Sequence, residues 1–203
     1  SSATWGVIVA LLLVGIVVFA VSKDKKRWTA RMLANGALCI ALSTVLSFIT
    51  LYKMPQGGSI TLASMLPMFL FAYAYGVGPG MLVGAAYGFV QFLQGGLYFV
   101  HPVELLLDYP LAFAMLGLAG LSNKFSDQWG MIPGIILGPF GRFVCAFLSG
   151  LIFFGMYAPE GQNVVIYSMV YNGLYLVPEA IICIVLAMIP QIRQLAKRLA
   201  LQD

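Results

Sequence analysis

Four ionisable residues stand where the chain is otherwise apolar: Glu104, Asp108, Arg142 and Glu179. A charge inside a hydrocarbon-facing segment is costly, so such residues are paired or functional. Glu104 and Asp108 are four residues apart, which puts both carboxylates on one side of a helix. An acidic pair near the outer end of a helix attracts a cationic ligand. Arg142 has two candidate partners. Depth counting at about 1.5 Å per residue places it roughly 10 Å below Asp108 and level with Glu179, and the sequence leaves both pairings open. Aromatic residues gather near the same end of the chain's apolar runs: Tyr98, Phe99, Tyr109, Phe153, Phe154, Tyr157, Tyr167, Tyr171 and Tyr175. The last three repeat every fourth residue, with Asn172 in the same half of the segment. An aromatic wall beside carboxylates suits a flat cationic heterocycle, because stacking and cation–π attraction hold the ring while an acid balances its charge.

Other chemistry is poorly served. His101 is the only histidine. It precedes Pro102 and reads as an interfacial or capping residue, since a proton relay needs ionisable partners along a whole path. Cys39, Cys145 and Cys183 lie inside apolar runs without zinc spacing and read as small buried hydrophobes. No catalytic residue, metal or cofactor is therefore expected. No Gly-x4-Gly-Lys-Ser/Thr loop is present, so ATP-driven uptake would draw its energy from another subunit.

The elements that hold these residues follow from composition. Of 203 residues, 61% are hydrophobic and 9% charged, and the mean hydropathy is +0.95. Soluble domains carry about 25% charged residues, so lipid must be the solvent for most of this chain. In lipid only helices and closed barrels satisfy the backbone. The apolar runs are long and continuous, which selects helices. Spans are expected at about 4–21, 29–51, 62–75, 81–100, 102–121, 131–157 and 164–189. Between them lie a Pro/Gly-rich loop at 53–61, a turn at Gly76-Val-Gly-Pro-Gly80, and polar loops at 122–128 and 158–163. Ala30, Ala34, Ala37 and Ala41 form a small-residue face that lets another helix approach closely. Lys23, Lys25, Lys26, Arg27 and Arg31 follow the first run. They place its C-terminal end in the cytoplasm, the N-terminus outside and the C-terminus inside. The tail after Pro190 is basic and amphipathic, suited to a membrane surface.

Five stretches, in order, carry a family resemblance: Met54-Pro-Gln-Gly-Gly-Ser-Ile-Thr61, His101-Pro-Val-Glu-Leu-Leu-Leu-Asp-Tyr109 with Ala112-Phe113, Arg142-Phe143, Ser149-Gly-Leu-Ile-Phe-Phe-Gly155 with Ala158-Pro159, and Ile166-Tyr-Ser-Met-Val-Tyr-Asn172. Together they resemble the thiamine-specific S component (ThiT/YuaJ family) of energy-coupling-factor transporters. The resemblance implies an all-α membrane protein with a six-helix core over residues 29–190. An additional transmembrane helix and basic linker occupy 1–28, and a basic cytoplasmic tail 191–203. It implies a multi-pass protein of the bacterial cell membrane that binds thiamine on its outer side, with residues 51–61 as a lid. Asp108 and Tyr109 would contact the ligand, and Tyr98, Arg142, Gly150, Phe154, Tyr167 and Asn172 would line or support the pocket. Glu104 and Tyr171 join them from the residue reading. The alanine face on residues 30–41 resembles a docking surface for a transmembrane coupling subunit, which two ATPase subunits would complete. Nucleic acid is not an expected partner.

The chain departs from the family pattern at Ala146, where a histidine is usual, at Phe154, where some members have tryptophan, and at Glu104, often glutamine. Those departures keep a second ligand in view, a thiamine precursor or another cationic heterocycle. A membrane enzyme or an ion-translocating protein is the remote alternative.

Overall fold

The computed structural model describes residues 2–125 and 130–201. The chain opens with helix α1 (Ser2–Lys23) and turns through its basic segment into α2 (Ala30–Phe48). Thr29 starts α2 by accepting a hydrogen bond from the Met32 N–H at 3.2 Å, which satisfies one of the open donors of the first turn. The expected loop at 53–61 is instead a short antiparallel hairpin, β1 (Thr50–Lys53) and β2 (Ser59–Thr61). Thr50 pairs with Thr61 and Lys53 with Ser59. The Pro55–Gly58 stretch makes its tip, closed by a bond from Met54 N–H to the Gly58 carbonyl at 2.6 Å.

Helix α3 (Leu66–Tyr75) begins four residues later than the hydropathy suggests, after Ala63 at φ 56° has turned the chain. All ten of its residues are buried. At about 1.5 Å per residue it is roughly 15 Å long, half a hydrocarbon core. It is thus the central post of the bundle rather than a full span. Gly76, at φ 100°, reverses the chain into α4 (Val77–Gln94). The expected turn at 76–80 is therefore mostly helix, because Pro79 falls in a first turn whose N–H groups have no helical acceptor. Gly95 and Gly96 end α4 six residues before the hydropathy does.

The next span, α5 (Pro102–Lys124), is not a regular α-helix. One α turn (Pro102–Leu106) leads into a π segment (Leu107–Leu111), a further α turn (Ala112–Ala114) and a 3₁₀ stretch (Met115–Lys124). Pro110 lies inside the π segment. Lacking an N–H, it cannot bond the preceding turn, and the widened turn accommodates it. The polar loop expected at 122–128 falls partly outside the described residues. Helices α6 (Ile132–Phe153), α7 (Val164–Ala187) and the amphipathic α8 (Pro190–Ala200) complete the chain.

Among the described residues five helices are long and apolar enough to cross a membrane: α1, α2, α5, α6 and α7. The protein is an integral membrane protein of helices. Around α3 the core gathers Phe69, Phe71, Tyr75, Tyr87, Leu116 and Ile135. The α4–α5 seam decides where the site residues sit. Gly80, Gly84 and Gly88 recur every four residues along α4. A Cβ at Gly88 would stand 2.6 Å from the Tyr109 carbonyl, one at Gly80 would stand 3.1 Å from Gly117 Cα, and one at Gly84 would strike the Phe113 carbonyl. The two backbones touch, as small residues allow in lipid. Helix α1 packs against α4, α5 and α6 through Gly6, Ala10, Leu13, Val14 and Val17. Its opposite face, with Trp5, Leu11, Leu12, Ile16 and Phe19, is exposed.

Candidate functional site

A cavity of about 300 Å³ opens at one end of the bundle. It lies between the C-terminal ends of α2, α4 and α6 and the N-terminal ends of α5 and α7, and the β1–β2 hairpin covers it. All ten residues nominated from sequence line it: Tyr98, Glu104, Asp108, Tyr109, Arg142, Gly150, Phe154, Tyr167, Tyr171 and Asn172.

The acidic side is built at the start of α5. His101 caps the helix, its Nδ1 accepting the Val103 N–H at 3.1 Å. Glu104 answers from the third position: its Oε2 accepts the N–H of Val100 at 2.8 Å and of His101 at 3.5 Å. This capping box commits one oxygen of a side chain that is only 3% exposed, and the Glu104 carboxyl also meets that of Asp108. His101 is thereby a cap, its ring stacked on Phe153 at 5.2 Å. Asp108 follows within the π segment and Tyr109 beside it, its ring edge-on to Phe92 at 5.3 Å.

Arg142 pairs with neither candidate. Among the described residues its guanidinium lies 4.2 Å above the Phe113 ring and 5.9 Å from that of Tyr175, and Nη1 donates to Met65 Sδ at 3.2 Å. Two aromatic faces and a soft sulfur hold the cation. Its other N–H donors are thus available to the cavity. Glu179, 1% exposed, is taken instead by the hairpin base. Its Oε1 accepts the Thr61 hydroxyl at 2.7 Å and the Ser64 hydroxyl at 2.9 Å, and its Oε2 the Thr61 N–H at 3.3 Å. Straight-helix depth counting could not foresee this, because it takes no account of side-chain reach or of a hairpin folding inward.

The aromatic wall forms on α7. Tyr167 and Tyr171 lie 6.0 Å apart, and Tyr171 and Tyr175 6.1 Å. Asn172 sits behind this wall with its amide spent: Nδ2 donates to the Ser168 carbonyl at 2.9 Å and the Ala146 carbonyl at 3.3 Å, and Oδ1 accepts the Tyr175 hydroxyl at 3.0 Å. Gly150 is small because α7 passes so closely; a Cβ there would collide with Ser168 Oγ. Ala146 adds only a methyl group to the wall.

Several lining residues escaped the sequence reading. Ser47, Gln91 and Gln94 form a hydrogen-bonded cluster in the lining: Gln91 Nε2 donates to Ser47 Oγ at 3.2 Å and to Gln94 Oε1 at 2.9 Å, and Gln94 Nε2 to Ser47 Oγ at 3.0 Å. Two glutamines three apart in an apolar run were the available signal. The cavity therefore offers carboxyl groups, neutral donors and acceptors, and aromatic faces together. That combination suits a small flat cation with a polar substituent. Among the described residues no group of three metal-ligating side chains occurs.

The chain is similar over most of its length to known thiamine transporters. The model of the Thiamine transporter protein (Thia_YuaJ) family matches residues 33–199. The thiamine transporter ThiT of Bacillus subtilis (strain 168) is 36% identical over 160 residues, spanning 72% of this chain and 83% of that protein. ThiT of Lacticaseibacillus paracasei is 32% identical over 123 residues, 54% of this chain and 61% of that protein. Among solved structures, ThiT from Listeria monocytogenes superposes with a TM-score of 0.68 at 26% identity, covering 82% of this chain and 93% of that one.

Proposed function

This chain belongs to the Thiamine transporter protein (Thia_YuaJ) family, and from that premise we propose that it captures thiamine in the cavity beneath the hairpin. It is a transport protein and not an enzyme. The observation that carries the ligand is the pairing of Glu104 and Asp108 with the aromatic stripe of α7 around one 300 Å³ space. The aminopyrimidine stacks among Tyr167, Phe154 and their neighbours. The cationic ring faces the adjoining carboxyl groups of Asp108 and Glu104, where opposite charge in a poorly hydrated site counts for more than in water. Arg142 supplies N–H donors to the ligand's acceptor atoms, and Asn172 holds the wall rather than the ligand. The hairpin excludes water once the ligand is in.

In this reading the chain is the substrate-binding S component of an energy-coupling-factor transporter, with a transmembrane coupling subunit and two ATPase subunits as partners. Ala30, Ala34, Ala37 and Ala41 support it, since all four are exposed along α2 and a small-residue face fits a close helix–helix contact. The basic segments at 23–31 and 193–198 support a cytoplasmic C-terminus, an outer N-terminus and a site on the outer side of the bacterial cell membrane. Ala146 favours a second reading, in which the same site prefers a thiamine precursor, because the wall lacks a ring donor at that position.

A competition titration of the purified chain in detergent separates the two. The expected outcome is quenching of intrinsic fluorescence by thiamine at nanomolar to low-micromolar concentration, with isolated pyrimidine and thiazole fragments at least 100-fold weaker. A fragment binding more tightly than thiamine would establish the second reading.

A further inference from the structure

Positions 171, 175 and 179 share one face of α7, each a turn beyond the last, and each holds a different part of the hairpin. At the tip, Tyr171 Oη accepts the Gln56 N–H at 2.9 Å. Next, Gly58 rests on the Tyr175 ring so closely that a Cβ would stand 2.6 Å from it, and Met54 is buried with Tyr175 and Leu176. At the base, Glu179 takes the three hydrogen bonds from Thr61 and Ser64 described above. Glu179 does not line the cavity. We propose that Glu179 is the positioning residue of the lid: it fixes the base of the hairpin while the tip opens against Tyr171, and it thereby sets how fast ligand leaves.

The two ends of the hairpin differ in what it costs to free them. Freeing the tip releases the Gln56 and Gly58 backbone bonds to the Tyr171 phenol, whose groups find water at the cavity mouth, and uncovers Met54 and the Tyr175 ring, all of them uncharged. Freeing the base would strip all three donors from a carboxylate buried to 1%, and no ion pair replaces them among the described residues. A buried charge without partners is far more expensive than an unpaired amide at the surface. The hairpin therefore opens from its tip, about a base that α7 holds. Helices α4 and α5, which position Asp108 and Tyr109, take no part in that hold, so the acidic side stays assembled while the lid is open. Helix α7 thus serves twice, as the aromatic wall of the site and as the anchor of its lid.

This inference rests on the reading that a ligand lies under the hairpin, and its test has one arm without ligand. Glu179→Gln keeps the shape but offers one acceptor oxygen where two are used, and turns an amide donor toward the donors of Thr61 and Ser64. Thr61→Val removes one of those donors from the hairpin side and leaves α7 untouched, so it serves if Glu179→Gln fails to fold. Hydrogen–deuterium exchange of the full chain in detergent should show hairpin amides (50–61) exchanging about 10-fold faster in each variant, the factor for one lost buried hydrogen bond, with α4 and α5 unchanged. Stopped-flow thiamine release should accelerate by a similar factor, with the association rate within about 2-fold. Unchanged hairpin exchange in a folded variant would overturn the proposal. So would faster exchange throughout the protein, or a slower association rate with release unaltered. Faster hairpin exchange in a protein that never binds thiamine would support the anchor and count against the ligand reading alone.

Discussion

Asp108 occupies a turn that a regular helix could not supply. The π segment around Pro110 widens the backbone where the side chain faces the cavity, a placement often found at functional sites. Gly150 makes the complementary demand for space. Replacing it with alanine drives a methyl group into Ser168 and, through Ser168, disturbs the amide of Asn172. Gly150→Ala should weaken thiamine binding about 10-fold and lower the melting temperature in detergent, at a cost of about 1–3 kcal/mol. Calorimetric titration and a thermal melt would check the two effects separately. The acids, Arg142 and the tyrosines were legible in the sequence because each is expensive or conspicuous in an apolar span. Ser47, Gln91 and Gln94 were not, since neutral amides cost less in a span than charges do and a spacing of three is a weak signal; their hydrogen-bonding to one another identifies them as a group. The partner of Arg142 was illegible for a different reason: two aromatic faces and a thioether do for it what a carboxylate was expected to do, and a list of charges does not contain them.

At the scale of elements, hydropathy located the helices but overcounted the spans: seven were expected, and among the described residues five helices are long and apolar enough to cross. It could not separate α3, ten buried residues in the middle of the bundle, from a crossing helix, because both are uniformly apolar. It missed the hairpin, whose strands of four and three residues are too short to leave a periodic signal. The glycines of α4 did carry a signal, recurring at Gly80, Gly84 and Gly88, and their role emerges only from the α5 backbone lying against them. Gly84→Leu should push α5 away from α4 and move Asp108 and Tyr109 out of register with α7. Thiamine affinity is expected to fall by at least 100-fold, with a stability loss of about 3 kcal/mol, readable from a detergent melt and a binding isotherm. A variant with unaltered affinity would mean that the acidic side does not depend on this seam.

For the whole molecule, the family match begins at residue 33, beyond α1. That helix contributes no residue to the cavity, yet Gly6 meets Phe153, against which His101 stacks, and Ala10, Val14 and Val17 cover the far side of α5. Its role is therefore support. Cleavage at a protease site introduced between Lys23 and Thr29, followed by dissociation of α1, should lower the melting temperature by several degrees while leaving thiamine affinity within about 3-fold. The deeper claim about the molecule is that one cavity, lined by elements far apart in sequence, recognises a flat cation by charge and stacking together. Its most direct test is calorimetric titration of thiamine into the full chain alone, wild type beside Asp108→Asn. The expected result is one-to-one binding at nanomolar to low-micromolar affinity, weakened 10- to 100-fold by the loss of one charge-assisted contact of about 1.5–3 kcal/mol. Equal affinities for the two proteins would contradict the account, because the carboxylate on which the recognition of charge depends would then have no part in it.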